Sequence, residues 1–364
     1  MMRRLVLMLT LLFLPILTHA ETLKLQAQPI VTGLNHPWSM AFLPNGEILV
    51  TERNGQLRRI QDGKLLPQPV KGLLPFRAFG QGGLLGLALH PQFAQNRWLY
   101  WTYTGAGQGG YSTHLARGKY QNGQLTEVQE LFKATPKSNG PVHFGGRILF
   151  DRQGYLYLAL GERGERDNAQ DLSNHSGSVI RLKDDGSIPA DNPFVNTPNA
   201  KPEIYSYGHR NQQGAALHPQ MGELWTHEHG PQGGDEVNRI QKGANYGWPI
   251  TTYGREYWGG RIGVPRKAGL TDPIHYWVPS IAPSGMVFYT GNRYPNWQGS
   301  LIVGALKLEL LARLVLQGNK VIKEERYLEG QIGRIRDVQQ GPDGYLYVLT
   351  DESNGGLYRI ELAP

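Results

Sequence analysis

The 364-residue chain contains no cysteine. Disulfides and thiolate metal ligands are therefore excluded, and any bound metal must sit on oxygen or imidazole. After its first twenty residues there is no long apolar run, so no later segment reaches the about 20 residues that a membrane-spanning helix needs. No Lys/Arg run exceeds two residues, and the net charge of +7, to which Arg3 and Arg4 contribute, is scattered. Nucleic-acid binding needs a concentrated basic stripe, so that class is set aside. A pattern long enough for a three-turn amphipathic helix is also missing.

What is present is turn chemistry. The chain holds 47 glycines and 24 prolines, which predicts many turns and therefore many short strands. Residues 1–20 read as an export leader. Arg3 and Arg4 supply the positive start, Leu5 to Leu17 is apolar except for Thr10 and Pro15, and Thr18-His19-Ala20 ends on a small residue. Cleavage is expected before Glu21, leaving residues 21–364 as a single catalytic domain that is periplasmic or secreted, with no membrane span.

A phrase recurs through that domain: an apolar alternating strand, a tight turn, then a second alternating strand. It reads MAFLPNGEILV from Met40 to Val50, ILFDRQGYLYL from Ile148 to Leu158 and VQQGPDGYLYV from Val338 to Val348. Related phrases with altered turns run from Leu85 to Tyr100, Ala215 to Trp225 and Gly285 to Leu301. Six β units at this spacing predict an all-β fold, a six-bladed β-propeller with about four antiparallel strands per blade. A β-sandwich would not need six similar units. Propeller ligands sit where loops converge at one end of the central channel, so function is sought in the segments that break the repeat.

Five such segments stand out. His143 lies in Val142-His143-Phe144-Gly145-Gly146-Arg147 at the start of an inner strand; it reads either as a hydrogen-bonded structural histidine or as a general base. Arg210 and Asn211 follow Tyr205-Ser206-Tyr207-Gly208-His209, and Arg210 suits a carboxylate or a developing oxyanion. The oxygen-rich run from His227 to Glu236 suits calcium, while His227 and His229 leave zinc open and a metal-free loop remains a third reading. Lys307 ends a strand, and Arg334 and Arg336 share one strand face, which calls for an anion or acidic partners. Gln81-Gly82-Gly83-Leu84-Leu85-Gly86 precedes a strand rather than a helix, which excludes a phosphate loop. No serine triad or glycosidase carboxylate pair is recognisable.

The motifs GQGGLLG (80–86), HFGGR (143–147), SYGHRN (206–211), EHGPQGGDE (228–236), NYGWP (245–249), GALK (304–307) and GRIRDV (333–338) occur in an order that resembles the soluble PQQ-dependent aldose sugar dehydrogenases, relatives of soluble glucose dehydrogenase. The resemblance spans nearly the whole mature chain. It implies pyrroloquinoline quinone (PQQ) as cofactor, one calcium ion beside the quinone and one or more structural calcium ions. It implies His143 as catalytic base, with Arg210 near the reacting carbonyl. Gln81, Arg210, Asn211, Lys307, Arg334 and Arg336 are implied as cofactor contacts, and Tyr257 in the EYWGG segment as packing on the cofactor. Gly230 and Pro231 are implied as calcium ligands beside the quinone, and Glu236 and Tyr246, with Asp235 as helper, as a second calcium site. The implied partners are an aldose and an external electron acceptor, for a monomer or homodimer. Val142 stands where soluble glucose dehydrogenase has an acidic sugar contact, which implies broad aldose specificity. A calcium lactonase is disfavoured by the cations Lys307, Arg334 and Arg336, and a non-catalytic propeller by an intact His143.

Overall fold

A computed structural model describes residues 23–364, so the expected leader over residues 1–20 lies outside the described residues. Six four-stranded antiparallel sheets form a closed ring. Each contributes one strand to the channel wall: Pro37–Phe42, Leu84–Leu89, Gly145–Phe150, Gln212–Leu217, Pro283–Phe288 and Ile335–Gln340. Each of these strands touches the next, and the last touches the first. The expected six-bladed propeller is what the chain forms. Helix is confined to Phe93–Asn96 and a short 3-10 turn at Arg166–Gln170 among the described residues.

The repeated phrase is the inner hairpin of a blade. Its first and last residues are directly opposed across the ladder in three blades: Met40 and Val50, Ile148 and Leu158, Val338 and Val348. The turn between them needs a left-handed residue, and Gly46, Gly154 and Gly344 supply it at φ 82°, 86° and 82°. Glycine works differently in the GQGGLLG segment. A Cβ on Gly86 would lie 2.1 Å from the Gly146 carbonyl oxygen, so this glycine lets the inner strands of blades two and three approach.

No single core runs through the molecule. Each blade buries its faces against its neighbours, as with Leu49, Leu84 and Trp101 between blades one and two, or Ile302, Ile335 and Val348 between blades five and six. This explains how the chain exceeds the roughly 250–300 residues one core supports. The ring is closed by its own beginning: Leu25–Leu34 is the outermost strand of blade six, antiparallel to Gly355–Leu362. Blade four is drawn out, because residues 240–274 intervene between its third strand, Asp235–Arg239, and its fourth, His275–Trp277.

One irregularity recurs six times. Every inner strand loses register against its hairpin partner near its N-terminal end: at Pro37/Ser39, Leu84/Leu87, Gly145/Arg147, Gln212/Gly214, Pro283/Met286 and Ile335/Asp337. A bulge bends a strand and re-aims side chains. Six at one end re-aim the residues of that mouth. Just inside it an ion pair joins blades three and six. Arg147 Nη1 lies 2.7 Å from Asp337 Oδ1, and Arg147 also donates to the Gln213 carbonyl at 2.7 Å and stacks on Trp38 at 4.2 Å.

Candidate active site

The bulged mouth is built from two kinds of position: residues just before a blade's first strand and residues just after its second. The first kind supplies Gln81, His143, Arg210, Asn211, Ala282 and Arg334. The second supplies Arg53, Glu162, His229, Leu306 and Asp351. Between them lies a cavity of about 220 Å³ whose lining includes Trp38, Arg53, Gln81, Asn211, Gln213, His229, Arg334, Arg336 and Asp351. Three guanidinium groups face one carboxylate. Arg336 donates to Asp351 and, at 3.0 Å, to Gln213. Burial alone would raise the Asp351 carboxyl, but Arg336, His36 and Arg53 hold it well below the usual carboxylate range. Burial pulls the Arg53 guanidinium below its ordinary value, and the like charges of Arg336 and Arg334 add to this against Asp351. The cavity therefore carries surplus positive charge and suits a polyanion.

His143 sits in the wall beside it in a left-handed conformation, φ 54°. Its backbone N–H donates to Gln81 Oε1 at 2.9 Å, and its Nδ1 lies 2.5 Å from Glu162 Oε2. A carboxylate there fixes the proton on Nδ1 and leaves Nε2 as the lone-pair nitrogen, a tautomer assigned from the hydrogen bond. Burial pulls the imidazole pKa below its ordinary value; Glu162 opposes this, while Arg210 and Arg163 add to it. The ring is neutral at neutral pH and able to accept a proton.

Arg210 is held from several sides. Its backbone N–H donates to Glu228, its Nη1 donates to the His229 carbonyl at 3.0 Å, and its guanidinium lies 5.3 Å over Trp248. Asn211 Oδ1 accepts from the Gly145 N–H at 3.3 Å. His229 Nε2 donates to the Pro283 carbonyl at 2.6 Å, and burial pushes this imidazole down to about 3, so it too is neutral.

A second, ion-sized cavity of about 10 Å³ lies on the other side of His229, lined by Arg210, Glu228, Gly230, Glu236, Trp248 and Thr252 among others. Glu228 and Glu236 oppose each other on paired strands. Burial, then the charge of Glu228, pushes the Glu236 carboxyl well above its ordinary value. Two buried acids around so small a space suit a hard cation. Other expected ligands are differently engaged. Asp235 accepts from the N–H groups of Gly230, Ile281 and Ala282 and the hydroxyl of Ser280, so it braces the 230 loop against blade five. The Pro231 carbonyl accepts from Gly233 at 2.7 Å and Arg255 at 3.2 Å. The Tyr246 hydroxyl is bound to Arg239 and Gln241 while its ring stacks on His209, which leaves only its backbone as a donor to a metal. The zinc alternative needs both His227 and His229, and His229 Nε2 is tied to the Pro283 carbonyl.

The structure thus gathers Gln81, Asn211, Arg334 and Arg336 around one cavity, with His143 beside it, and Arg210, Gly230 and Glu236 around the other. Lys307 is exposed and follows Leu306, which lines the larger cavity. Tyr257 is not brought in. It is 72% exposed and lines neither cavity. In its loop Glu256 pairs with Arg166 at 2.7 Å, and Gln232 donates to the Tyr257 carbonyl. Sequence reasoning missed Arg53, Glu162 and Asp351. All three follow the second strand of a blade, and that position was the available signal.

A family model described as Glucose / Sorbosone dehydrogenase matches residues 34–359. The chain is 46% identical over 334 residues to the aldose sugar dehydrogenase YliI of Escherichia coli, covering 90% of each chain. The apo structure of the soluble aldose sugar dehydrogenase from Escherichia coli superposes with a TM-score of 0.91 at 44% identity, over 93% of this chain and all of that one. The PQQ-bound aldose sugar dehydrogenase from Streptomyces coelicolor superposes with a TM-score of 0.78 at 30% identity, over 93% of this chain and 98% of the other.

Proposed function

The chain belongs to the glucose/sorbosone dehydrogenase family and is an oxidoreductase acting on CH–OH groups, and on that footing we propose that it oxidises aldose sugars at the anomeric carbon to lactones, with PQQ and calcium as cofactors. The observation that carries this reading is a neutral, carboxylate-oriented His143 whose neighbours Gln81, Phe144 and Gly145 line a cavity that also holds three guanidinium groups. The donor set fits the quinone: Arg53, Arg334 and Arg336 outnumber Asp351, and exposed Lys307 adds a cation beyond Leu306. PQQ, when bound, supplies a two-electron acceptor bearing carboxylates.

The residues then divide the work. His143 Nε2 takes the proton from the anomeric hydroxyl, while Glu162 holds the ring and stabilises the imidazolium. Gln81 fixes the His143 backbone. Arg210, braced by Glu228 and His229, stabilises the oxyanion that develops as the hydroxyl is oxidised. Asn211, Arg334 and Arg336 orient the quinone. Gly230, Glu228 and Glu236 would hold a calcium ion at the small cavity, with Asp235 as brace and the Tyr246 backbone as a further donor, whereas the Pro231 carbonyl already accepts from Gly233 and Arg255. Tyr257 at the solvent surface is left without a cofactor role. An external acceptor removes the electrons, and the expected leader places the mature protein in the periplasm or medium.

The direct test is reconstitution of the mature protein with PQQ and calcium, followed by dye reduction with several aldoses. Absence of sugar-dependent reduction would refute the proposal. Two further results are expected. Glu162→Gln removes the charge that raises the His143 pKa, so the acid limb of the kcat/KM profile moves to lower pH while kcat falls about 10–100-fold. A limb that stays in place sinks the assigned pairing. Chelation of calcium is expected to lower stability by about 3–4 kcal/mol relative to protein held at about 100–1,000 times Kd, reversibly on re-addition; unfolding curves unmoved by chelator would remove calcium from the account.

A further inference from the structure

The face of the ring away from His143 carries a cavity that the proposed reaction does not use. His143 precedes and Asp151 follows the inner strand Gly145–Phe150, so about 20 Å of strand separates the two faces. The cavity lies between blades three and four, measures about 360 Å³, and is lined by Asp151, Tyr155, Tyr157, Arg181, Tyr205 and Glu223.

Its charges are already settled. Arg181 pairs with Asp191 at 2.9 Å, Glu223 with Arg239 at 3.3 Å, and Asp151 accepts from the N–H groups of Gln153 and Tyr155, each at 2.9 Å. An anionic ligand would need an unpaired cation, which this lining lacks, and a metal would need several unpaired carboxylates, of which it has only Asp151. What remains is a tyrosine wall with polar edges. Tyr157 meets Tyr205 edge-on at 5.2 Å, and Tyr155 lies beneath Arg181 at 3.8 Å.

Blade six repeats Tyr155, Tyr157 and Arg181 as Tyr345, Tyr347 and Arg359, with Asp343 where blade three has Gln153, which makes an internal comparison. There Tyr345 lies beneath two guanidinium groups, Arg293 at 4.6 Å and Arg359 at 5.0 Å, and the Tyr347 hydroxyl donates to Asp343 at 2.9 Å. The fourth strand of that blade, Leu25–Leu34, has no tyrosine. Blade three has a single guanidinium, Arg181, at 3.8 Å from Tyr155 and 5.6 Å from Tyr205, a tyrosine that its fourth strand, Ile204–Ser206, adds. Blade three therefore presents three tyrosines, two at its second strand and one on its fourth, to one hollow.

We infer that this hollow binds a neutral carbohydrate unit, a pyranose ring of an oligosaccharide, apart from the site of oxidation. The C–H faces of a pyranose suit aromatic side chains, and its hydroxyls exchange hydrogen bonds with phenol, carboxylate and guanidinium groups without requiring net charge. The inference stands on this lining and is independent of the oxidation reading.

Methyl β-cellobioside is a suitable probe, because its capped anomeric oxygen prevents oxidation there. Binding to the mature protein is followed by calorimetry, and oxidation of free aldoses is assayed on the same samples. Tyr155→Leu is expected to weaken binding about tenfold with kcat/KM for a free aldose unchanged. Tyr205→Phe, which keeps the ring and the packing, is expected to weaken it about threefold. Wild-type affinity in both variants, or no saturable binding by the wild type, would overturn the inference. If the wild type binds the glycoside but oxidises no aldose, the reaction reading fails and this one stands.

Discussion

Replacing His143 by glutamine is expected to lower kcat about 10²–10⁴-fold while leaving PQQ binding largely intact. Glutamine retains a hydrogen-bonding group for Glu162, which is only 2% exposed at its side chain. Alanine would remove the base equally well but leave that buried carboxylate without a partner, so a stability loss would confuse the result. The cations that line the cavity, Arg53, Arg334 and Arg336, are untouched by either change. PQQ titration and steady-state dye reduction on the same sample separate the two effects. Turnover within about tenfold of wild type would show that another group takes the proton.

Arg147→Met is expected to destabilise the fold by about 3–5 kcal/mol, the cost of leaving a buried charge without its partner. Asp337 is fully buried and Arg147 nearly so. Burial raises the Asp337 carboxyl, and Arg147 is the main group opposing that rise. Met40 N–H also donates to Asp337 at 3.1 Å, but one neutral donor does not replace a guanidinium. The double change Arg147→Met with Asp337→Leu is expected to recover much of the loss, because a well-packed apolar pair avoids desolvation altogether. Chemical denaturation of the two variants decides this. A single variant as stable as wild type would mean that the pair contributes nothing to holding the ring.

The ring was legible in the sequence because its inner hairpins repeat a period-two pattern around a turn with fixed backbone needs. Met40 and Val50 bracket one such hairpin and are direct ladder partners. Outer strands were less visible. Lys64–Leu65 is two residues long, and His275–Trp277 is separated from its blade by residues 240–274, so neither shows a period. Gln81, Asn211, Arg334 and Arg336 were found through local motifs and do meet. Pairings across the ring were not readable. Arg147 and Asp337 each sit inside a recognised motif, yet nothing in either indicates the other, 190 positions away. Tyr257 illustrates the opposite case: its motif is local, but its neighbour Glu256 pairs with the distant Arg166 and the Tyr257 side chain lines neither cavity.

The closing strand has a consequence for how the molecule is made. Leu25 pairs with Leu362, so this strand waits for a partner that lies a whole propeller further along the chain. Until then every growing chain carries unpaired strand edges, which invite pairing with other chains. Contacts this distant in sequence also make folding slow. Ring closure is therefore a late event, and the interval before it is where a chaperone has most to contribute.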